Sequence, residues 1–382
     1  MTEVLREGGS GLSNIEDVIA DAKAGKLFIL VDDEDRENEG DLCVIGEWAD
    51  AKAINFMAKH GRGLICLALT RDRTDALGLS LMERRNESRH QTAFTVSIEA
   101  REGVTTGISA ADRALTVRTA IDPQCTDKDI TTPGHIFPLV ARDGGTLVRA
   151  GHTEAVVDIA RASGATDPSG VICEIMKDDG EMARLPDLLG FAEEHDLKIG
   201  SIADLIAWRR RNESLVQRTV ESVMTSAVGG DWRIIIYVNT ISDVEHIALV
   251  KGDISTPDSV LVRMHRLNLM TDALGDVSEK RSGDSLNIAM QTISDAGRGI
   301  VVVLRESSST SLSEMISNRI ARGDDDQDQA PGLREYGVGA QILSDLGVRE
   351  MTMLSNSPSN VISLEGYDLQ ITDWLNLDGT SK

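Results

Sequence analysis

The chain has 382 residues, enough for two ordinary domains, and its 41% hydrophobic and 26% charged residues are typical of a folded globular protein. Its formal net charge of −23 argues against binding to a nucleic acid backbone, which requires a positive surface. No apolar stretch reaches the roughly 20 residues that span a bilayer. Residues 1–10 contain no apolar signal-like segment, so a cytoplasmic location without membrane partners is expected.

Short apolar segments alternate with amphipathic segments up to about residue 205, which predicts an α/β layer architecture. The predicted helices are residues 15–24, 51–60, 153–162 and 201–207, and the predicted strands are residues 27–31, 63–69 and 171–175.

A basic, polar stretch at residues 209–218 is the best candidate for a domain boundary. Beyond it the pattern predicts strands at 233–238, 247–251, 299–304 and 350–354, helices at 284–296 and 333–346, and a loop at 323–332. The expected organisation is a first domain at 1–208, a linker at 209–217 and a second domain at 218–382. The fold class is α/β (α+β), with a mixed sheet packed with helices in each domain.

The most informative segment runs from Asp32 to Asp41 and carries seven carboxylates within ten residues, directly after an apolar strand. Three interpretations are open: a solvated hairpin turn, a calcium-binding EF-hand loop, or a magnesium loop. Asn38 stands where an EF-hand loop needs glycine, which disfavours the second interpretation. Mg²⁺ takes only one or two protein carboxylates, so most of these acids would contact substrate or support the ligands.

Two histidines and one further acid extend this pattern. His135 lies between a Pro-Gly turn and an apolar run, and His152 lies directly before the helix predicted from Thr153. The amides at that helix N-terminus, with Arg149 beside them, are suited to bind a phosphate. Either histidine could be purely structural. Glu174 lies within an otherwise apolar strand, where a carboxyl group needs a partner, and is a candidate for proton transfer.

These segments carry a specific family resemblance. The motifs Asp-Glu-Asp-Arg-Glu-Asn-Glu-Gly-Asp (33–41), Thr-Thr-Pro-Gly-His (131–135), Arg-Ala-Gly-His-Thr-Glu (149–154) and Gly-Val-Ile-Cys-Glu (170–174) occur in the order found in 3,4-dihydroxy-2-butanone 4-phosphate synthases. The resemblance covers about residues 12–208. It implies a lyase of riboflavin biosynthesis that converts D-ribulose 5-phosphate to L-3,4-dihydroxy-2-butanone 4-phosphate and formate.

The resemblance also implies roles for individual residues. Glu37 and His152 would bind Mg²⁺ (or Mn²⁺), which would stabilise an enediolate of the substrate as a Lewis acid. The residues implied to contact ribulose 5-phosphate are Arg36, Glu37, Asp41, Thr106, Arg149, Ala150, Gly151, His152, Thr153 and Glu174. The residues implied to act in catalysis are His135, Glu174, Asp32, Glu39 and Cys66, of which Cys66 could equally be structural. Thr106 belongs to a loop that closes over the substrate in this family, and a homodimer is expected.

Residues from about 218 to 376 resemble GTP cyclohydrolase II, which holds a catalytic zinc with three cysteines. The matching segments include 262–265, 271–276, 297–301 and 333–348. The chain's four cysteines, Cys43, Cys66, Cys125 and Cys173, all precede this region, and Asn268 stands at the first zinc position. The other two positions fall near Glu279 and Arg281, and residues 305–311 lack the family's phosphate-directed arginine. No zinc and no cyclohydrolase activity are therefore expected.

Three functional hypotheses follow. The favoured one is a monofunctional magnesium-dependent lyase whose second domain is an assembly scaffold or a regulatory nucleotide-binding module. The second is a bifunctional enzyme that also opens GTP. The third, a non-catalytic binding protein, requires the first domain to be inactive, although every motif residue expected there is present.

Overall fold

The computed structural model describes residues 11–83, 92–256, 258–276, 284–305, 333–355 and 369–377, together with Ser313, Ile316, Ser317 and Thr380. The chain divides into two compact units, Met1–Arg209 and Arg210–Lys382. Each unit contains a mixed seven-stranded sheet packed with helices, so the predicted fold class is confirmed.

The first unit alternates helices and strands. Its helices are α1 (Ile15–Lys23), α2 (Ala51–Phe56), α3 (Arg71–Ala76), α4 (Ala110–Ile121), α5 (His152–Ser163), α6 (Leu185–His195) and α7 (Ile202–Asn212). Its strands are β1 (Phe28–Val31), β2 (Gly40–Ile45), β3 (Cys66–Leu69), β4 (Ile98–Ala100), β5 (Ile130–Val140), β6 (Gly170–Glu174) and β7 (Lys198–Ser201).

The first sheet has the order β4-β5-β3-β6-β2-β1-β7 and is covered by helices on both faces. Because successive side chains of a strand point to opposite faces, Ile29 and Val31 pack with α2, α4 and α6, whereas Phe28 and Leu30 pack with α1, α5 and α7. This two-sided burial explains why the central strands read as continuous apolar runs in the sequence.

Two of the predicted elements are shorter than expected. The helix predicted at 51–60 ends at Phe56 and widens into a π-type turn over Met57–Gly61. The strand predicted at 63–69 begins only at Cys66, because the Gly63 and Leu64 amides donate to the backbone and side chain of Glu174. The later start of the strand arises from these contacts with Glu174, which the local sequence does not encode.

The Pro-Gly segment beside His135 lies inside strand β5. In place of the expected turn, the pairing of β5 with β4 shifts register at this segment. Ile98 pairs with Ile136, but the next residue, Glu99, pairs with Thr131. The four intervening residues of β5 therefore lie outside the regular register, and the Thr132–Pro133 peptide bond there is cis. Gly134 lies so close to the β4 backbone that a Cβ atom would be 2.0 Å from the Ile98 carbonyl oxygen.

The second unit contains strands β8 (Val216–Ser226), β9 (Gly230–Asn239), β10 (Glu245–Lys251), β11 (Val260–Arg266), β12 (Gly299–Leu304), β13 (Glu350–Leu354) and β14 (Gln370–Leu375). Helix α8 (Ser285–Ala296) packs against one face of the sheet, and α9 (Leu333–Asp345) packs against the other. The sheet order is β14-β13-β11-β12-β10-β9-β8.

The sequence did not predict strands β8, β11 and β14, since polar residues interrupt their apolar patterns, and it also missed β2, β4, β5 and β7 of the first sheet. The segment expected to be a linker, 209–217, is mostly regular structure: α7 continues to Asn212 and β8 begins at Val216. The loop expected at 323–332 lies outside the described residues, as do the first ten residues. No described helix is both long and apolar enough to cross a membrane.

A buried ion pair ties α5 to the end of the first unit. The Asp158 carboxylate, on α5, accepts hydrogen bonds from the Thr146 amide and hydroxyl and from Arg209 Nη1, each at 2.7 Å. Burial raises the pKa of Asp158, and Arg209 opposes that shift. Arg161 approaches the same carboxylate at 3.4 Å from the surface, with 46% of its side chain exposed.

This arrangement predicts that Arg209→Met destabilises the first unit by about 3–5 kcal/mol, because a buried carboxylate loses its cationic partner. Arg161→Met is the matched control and should cost at most about 1 kcal/mol, since exposed ion pairs contribute little. Native-state hydrogen exchange of the α5 amides would measure both changes. Equal effects of the two substitutions would contradict this account.

Candidate metal centre and active site

The acidic segment forms the loop of a β-hairpin, which places its carboxylates at one end of the sheet. β1 and β2 are antiparallel, with Val31 opposite Gly40, and residues 32–39 connect them. The simplest interpretation of the run, a hairpin turn, is therefore correct for the backbone. It leaves open what the carboxylates do.

Asp32 organises this loop. Its side chain is only 1% exposed, and its carboxylate accepts hydrogen bonds from the amides of Glu37 (3.1 Å) and Glu39 (2.9 Å). Arg36 Nη1 donates to the same carboxylate at 2.7 Å, and Arg36 Nη2 lies 3.0 Å from Glu37 Oε1. One buried acid thus holds the loop closed and compensates part of its charge through Arg36.

Helix α5 brings His152 to this loop. His152 is the first residue of α5 and is buried. Its Nε2 lies 3.2 Å from the carbonyl oxygen of Leu30 in β1. Donation of the Nε2 proton to this carbonyl leaves Nδ1 facing the acids, which is the usual way in which a metal-binding histidine is oriented.

The predicted ligands, Glu37 and His152, lie close together. Glu37 Oε2 is 3.8 Å from His152 Nδ1, and Asp41 Oδ1 is 4.0 Å from the same nitrogen. Two ligands of one Mg²⁺ lie at most about 4.2 Å apart, because each bond is about 2.1 Å long. Asp32, Glu37 and His152 offer ligand atoms within 4.8 Å of one another, the one such group of three or more metal-binding side chains among the described residues. The distances from His152 Nδ1 to Glu37 and Asp41 lie within the 4.2 Å limit and fit a hard divalent cation, whereas the wider 4.8 Å spacing that includes Asp32 does not by itself make Asp32 a third ligand.

The remaining acids surround this cluster. Asp41 lies opposite Glu174 on the paired strands β2 and β6, and Glu174 Oε2 accepts a hydrogen bond from the Leu64 amide at 2.8 Å. Glu174 is the last residue of β6, so it lies at a strand end where its carboxyl group is partly exposed. Burial and the neighbouring Glu37 raise the pKa of Glu39, whereas Arg184 lowers it.

The electrostatics of the metal-free cluster depend on Asp41 and His152. Burial raises the pKa of Asp41 to about 7, and the charge of His152 opposes this shift. Burial by itself lowers the pKa of His152, but Asp41, Glu37 and Asp32 more than offset it and raise that pKa to about 9. An imidazolium therefore partly neutralises the acids at neutral pH, in the position where a cation would bind.

Cys66 is buried in the core beside the site. Burial raises the pKa of its thiol well above the ordinary value, and Glu174 and Asp41 raise it further. Its burial fits a packing role, and the catalytic role that the family resemblance implies for Cys66 stays a prediction.

The segment expected to bind phosphate lies at the N-terminus of α5. Gly151 is the N-cap residue and Thr153 is buried, while Ala150 is exposed. Arg149 Nη1 donates to Glu154 Oε2 at 2.6 Å, and a Cβ atom on Gly151 would lie 2.3 Å from that nitrogen. Glu154, which the sequence interpretation did not assign, therefore fixes the position of Arg149.

His135 belongs to a second group. Its Nδ1 lies 3.0 Å from Glu99 Oε2 in β4, and this is its one polar contact within the described part of the chain. Glu99 also packs against Gly107, in the exposed loop that carries Thr106. The Asp112 carboxylate stabilises this loop by accepting hydrogen bonds from Thr105 and Gly107. The sequence interpretation missed Glu99, although an acid within an apolar strand is the same signal that identified Glu174.

A cation site bordered by several carboxyl groups is characteristic of a metal-dependent enzyme, and comparison with known proteins gives the family. The family model for 3,4-dihydroxy-2-butanone 4-phosphate synthase matches residues 16–208, and the model for GTP cyclohydrolase II matches residues 217–376. The chain belongs to the 3,4-dihydroxy-2-butanone 4-phosphate synthase family and carries a GTP cyclohydrolase II domain after the synthase domain.

Similar proteins extend over nearly the whole chain. The 3,4-dihydroxy-2-butanone 4-phosphate synthase of Pseudomonas aeruginosa is 46% identical over 95% of this chain and 99% of its own length. The riboflavin biosynthesis protein RibBA of Nocardia farcinica is 45% identical over 94% of this chain and 89% of its own length.

Solved structures give the same result. RibBX of A. baumannii, a two-domain 3,4-dihydroxy-2-butanone 4-phosphate synthase, matches with a TM-score of 0.69 and 40% identity over 95% of this chain and 99% of that chain. A 3,4-dihydroxy-2-butanone 4-phosphate synthase in complex with two magnesium ions matches with a TM-score of 0.51 and 39% identity over 53% of this chain and 99% of that chain.

In metal-free protein, Asp41→Asn should lower the pKa of His152 from about 9 toward the ordinary value of 6.5, because one of the carboxylates that stabilise the imidazolium is lost. NMR titration of the His152 ring after EDTA treatment would measure this change. Glu16→Gln, an exposed acid on α1, should leave the titration unchanged. An unperturbed His152 in the unsubstituted protein would contradict the described electrostatics.

The same pKa shifts determine how stability depends on pH. Asp41 and His152 both bind protons more tightly in the folded state, so their contributions to stability are present at low pH. The contribution of Asp41 is lost as pH rises from about 4 to about 7, and that of His152 as pH rises from about 6.5 to about 9.

Proposed function

We propose that the first unit converts D-ribulose 5-phosphate to L-3,4-dihydroxy-2-butanone 4-phosphate and formate, as a magnesium- or manganese-dependent lyase. The observation that carries this proposal is the approach of Glu37 Oε2 to His152 Nδ1 at 3.8 Å beside Asp41. The near full-length similarity to proteins named for this activity and for riboflavin biosynthesis supports the substrate and the pathway.

The chemistry of the site residues fits this reaction. Removal of a proton next to the ketone produces an enediolate, and a bound divalent cation supplies Lewis-acid stabilisation of its charge. Asp41, which lies 4.0 Å from His152 Nδ1 and opposite Glu174, would accept and return a proton of the substrate. Glu174 lies opposite Asp41, so two carboxyl groups can serve neighbouring carbons of the substrate.

The remaining side chains bind and orient the sugar phosphate in this proposal. Arg149, Thr153 and the free amides at the start of α5 would hold the phosphate, and Arg36 would contact the sugar end near Glu37. His135, oriented by Glu99, would move a proton through its free Nε2. Two copies of the chain are proposed to associate as a homodimer, as the family resemblance implies.

We expect Glu37→Gln and His152→Gln each to lower formate production from ribulose 5-phosphate by at least about a hundredfold, since the cation's contribution to catalysis is worth several kcal/mol. Glu47→Gln, an exposed acid just after β2, is the matched control and should retain full activity. Circular dichroism would verify folding. Substantial turnover by either variant, or by enzyme treated with EDTA, would refute the metal assignment.

We further propose that the second unit lacks cyclohydrolase activity. Asn268, at the position expected for the first zinc cysteine, instead caps the following turn by accepting hydrogen bonds from Met270 and Thr271. Asp272 accepts hydrogen bonds from His265 Nε2 and the Asn268 amide, each at 2.8 Å. Glu279, Arg281 and residues 306–311 lie outside the described residues, so the chain's lack of cysteines after Cys173 remains the main support.

The full-length protein should therefore release neither formate nor pyrophosphate from GTP and should contain no stoichiometric zinc after purification in zinc-supplemented medium. Elemental analysis and a pyrophosphate assay would measure both, with ribulose 5-phosphate turnover of the same sample as the positive control. Release of formate from GTP would favour the bifunctional alternative. Calorimetric binding of GTP without turnover would favour a regulatory nucleotide-binding role over an assembly scaffold.

A further inference from the structure

Arg184 contacts the acidic loop from outside the cluster of proposed metal ligands. It precedes α6, and its Nη1 donates to the carbonyl oxygen of Glu37 at 3.0 Å and to that of Asn38. The same nitrogen lies 4.0 Å from Glu39 Oε1. A single guanidinium group thus binds the two consecutive backbone carbonyl groups that flank the Cα atom of Asn38.

The loop needs this support because of its backbone conformation. Asn38 has a φ of +56°, in the left-handed region that non-glycine residues seldom adopt. Asp32 accepts hydrogen bonds from the amides on either side, those of Glu37 and Glu39, but it cannot bind the carbonyl groups. Arg184 supplies the donors that these carbonyl groups need. Asp32 and Arg184 together therefore bind both the amides and the carbonyl groups of the loop backbone.

Arg184 is itself well anchored. Its backbone amide donates to Asp187 Oδ2 at 2.9 Å, and the preceding amide, that of Ala183, donates to the Ile175 carbonyl at 3.0 Å. One turn further along α6, Leu188 fills the space above Gly40, where a Cβ atom would lie 2.4 Å from Leu188 Cδ1. Helix α6 therefore packs on the end of the loop and gives Arg184 a fixed origin.

We propose that Arg184 is a positioning residue for the metal ligand Glu37. It holds the Glu37–Asn38 backbone so that the Glu37 carboxylate faces His152. This inference rests on the proposed metal site and adds to it a residue that does not itself contact the ion. Residues that orient metal ligands in this way typically change metal affinity by about 10- to 100-fold when they are removed.

The positive charge of Arg184 makes the proposal easy to test, because charge and position predict opposite effects. Removal of a nearby cation strengthens the binding of another cation by electrostatics alone. Loss of the backbone contacts weakens binding by freeing Glu37. The direction of the change in metal affinity therefore separates the two roles.

The experiment is a titration of metal-depleted full-length protein with Mn²⁺ alone. Electron paramagnetic resonance measures the concentration of free Mn²⁺ at each step of the titration. Arg184→Ala should raise the Mn²⁺ dissociation constant by about tenfold or more. Arg184→Gln, which keeps an amide donor but not the charge, should give an intermediate value. It also provides the test if Arg184→Ala does not fold.

Arg298→Ala is the matched control. Arg298 Nη2 also donates to two backbone carbonyls, those of Thr256 and Asp258, each at 3.0 Å, and Arg298 lies beside the Asp258 carboxylate, but it belongs to the second unit. Its substitution should leave Mn²⁺ affinity unchanged. A dissociation constant for Arg184→Ala that is unchanged or lower than that of unsubstituted protein would overturn the inference.

The same titration distinguishes failure of this inference from failure of the proposed metal site. Unsubstituted protein should bind Mn²⁺, and Glu37→Gln should bind it much more weakly. If Glu37→Gln bound Mn²⁺ as well as unsubstituted protein does, the metal site itself would be wrong. If Glu37→Gln lost binding while Arg184→Ala retained it, only the role of Arg184 would be wrong.

Discussion

The structure of the site depends on one buried carboxylate, that of Asp32. Seven acids in a ten-residue segment repel one another, and a hairpin loop of this length has amides that need acceptors. Asp32 meets both requirements, because it accepts two amide hydrogen bonds across the loop and pairs with Arg36. The loop therefore folds around a charge that could otherwise destabilise it. Once it is closed, the Glu37 carboxylate can face His152.

The site joins two elements that are far apart in the sequence. The hairpin between β1 and β2 supplies the acids, and the first turn of α5 supplies His152, whose ring is held by the Leu30 carbonyl of β1. In the metal-free state the imidazolium compensates the acids electrostatically, and a divalent cation would take over that role. Binding of a divalent cation would displace the His152 proton, so the net charge of the site would rise by one unit. The acids, which are costly to the fold by themselves, are thereby used in both states.

The second unit is held together mainly by apolar packing. Its core is formed by apolar strands, such as β12, in which every residue is buried, and by α8 and α9 on the two faces. None of that packing depends on zinc. Asn268, at the position expected for a zinc ligand, caps a turn, and His265 Nε2 donates to Asp272 Oδ2, while His265 Nδ1 and Asp272 Oδ1 have no hydrogen-bond partner among the described residues. These polar groups contribute to the local structure of the turn that follows β11.

The sequence by itself determined the fold class and seven of the fourteen described strands, because apolar periodicity and glycine positions act locally. It also marked the acidic loop and Glu174 as unusual for their elements, and the family resemblance joined them with His152 in one site. Only the tertiary structure decided that Asp32 closes the loop, that Glu99 faces His135, and that Arg184 binds the Glu37 and Asn38 carbonyls. These contacts join residues that lie up to 147 positions apart. Their side chains follow no local rule, so their partners are fixed by packing between elements and could not be predicted from neighbouring residues.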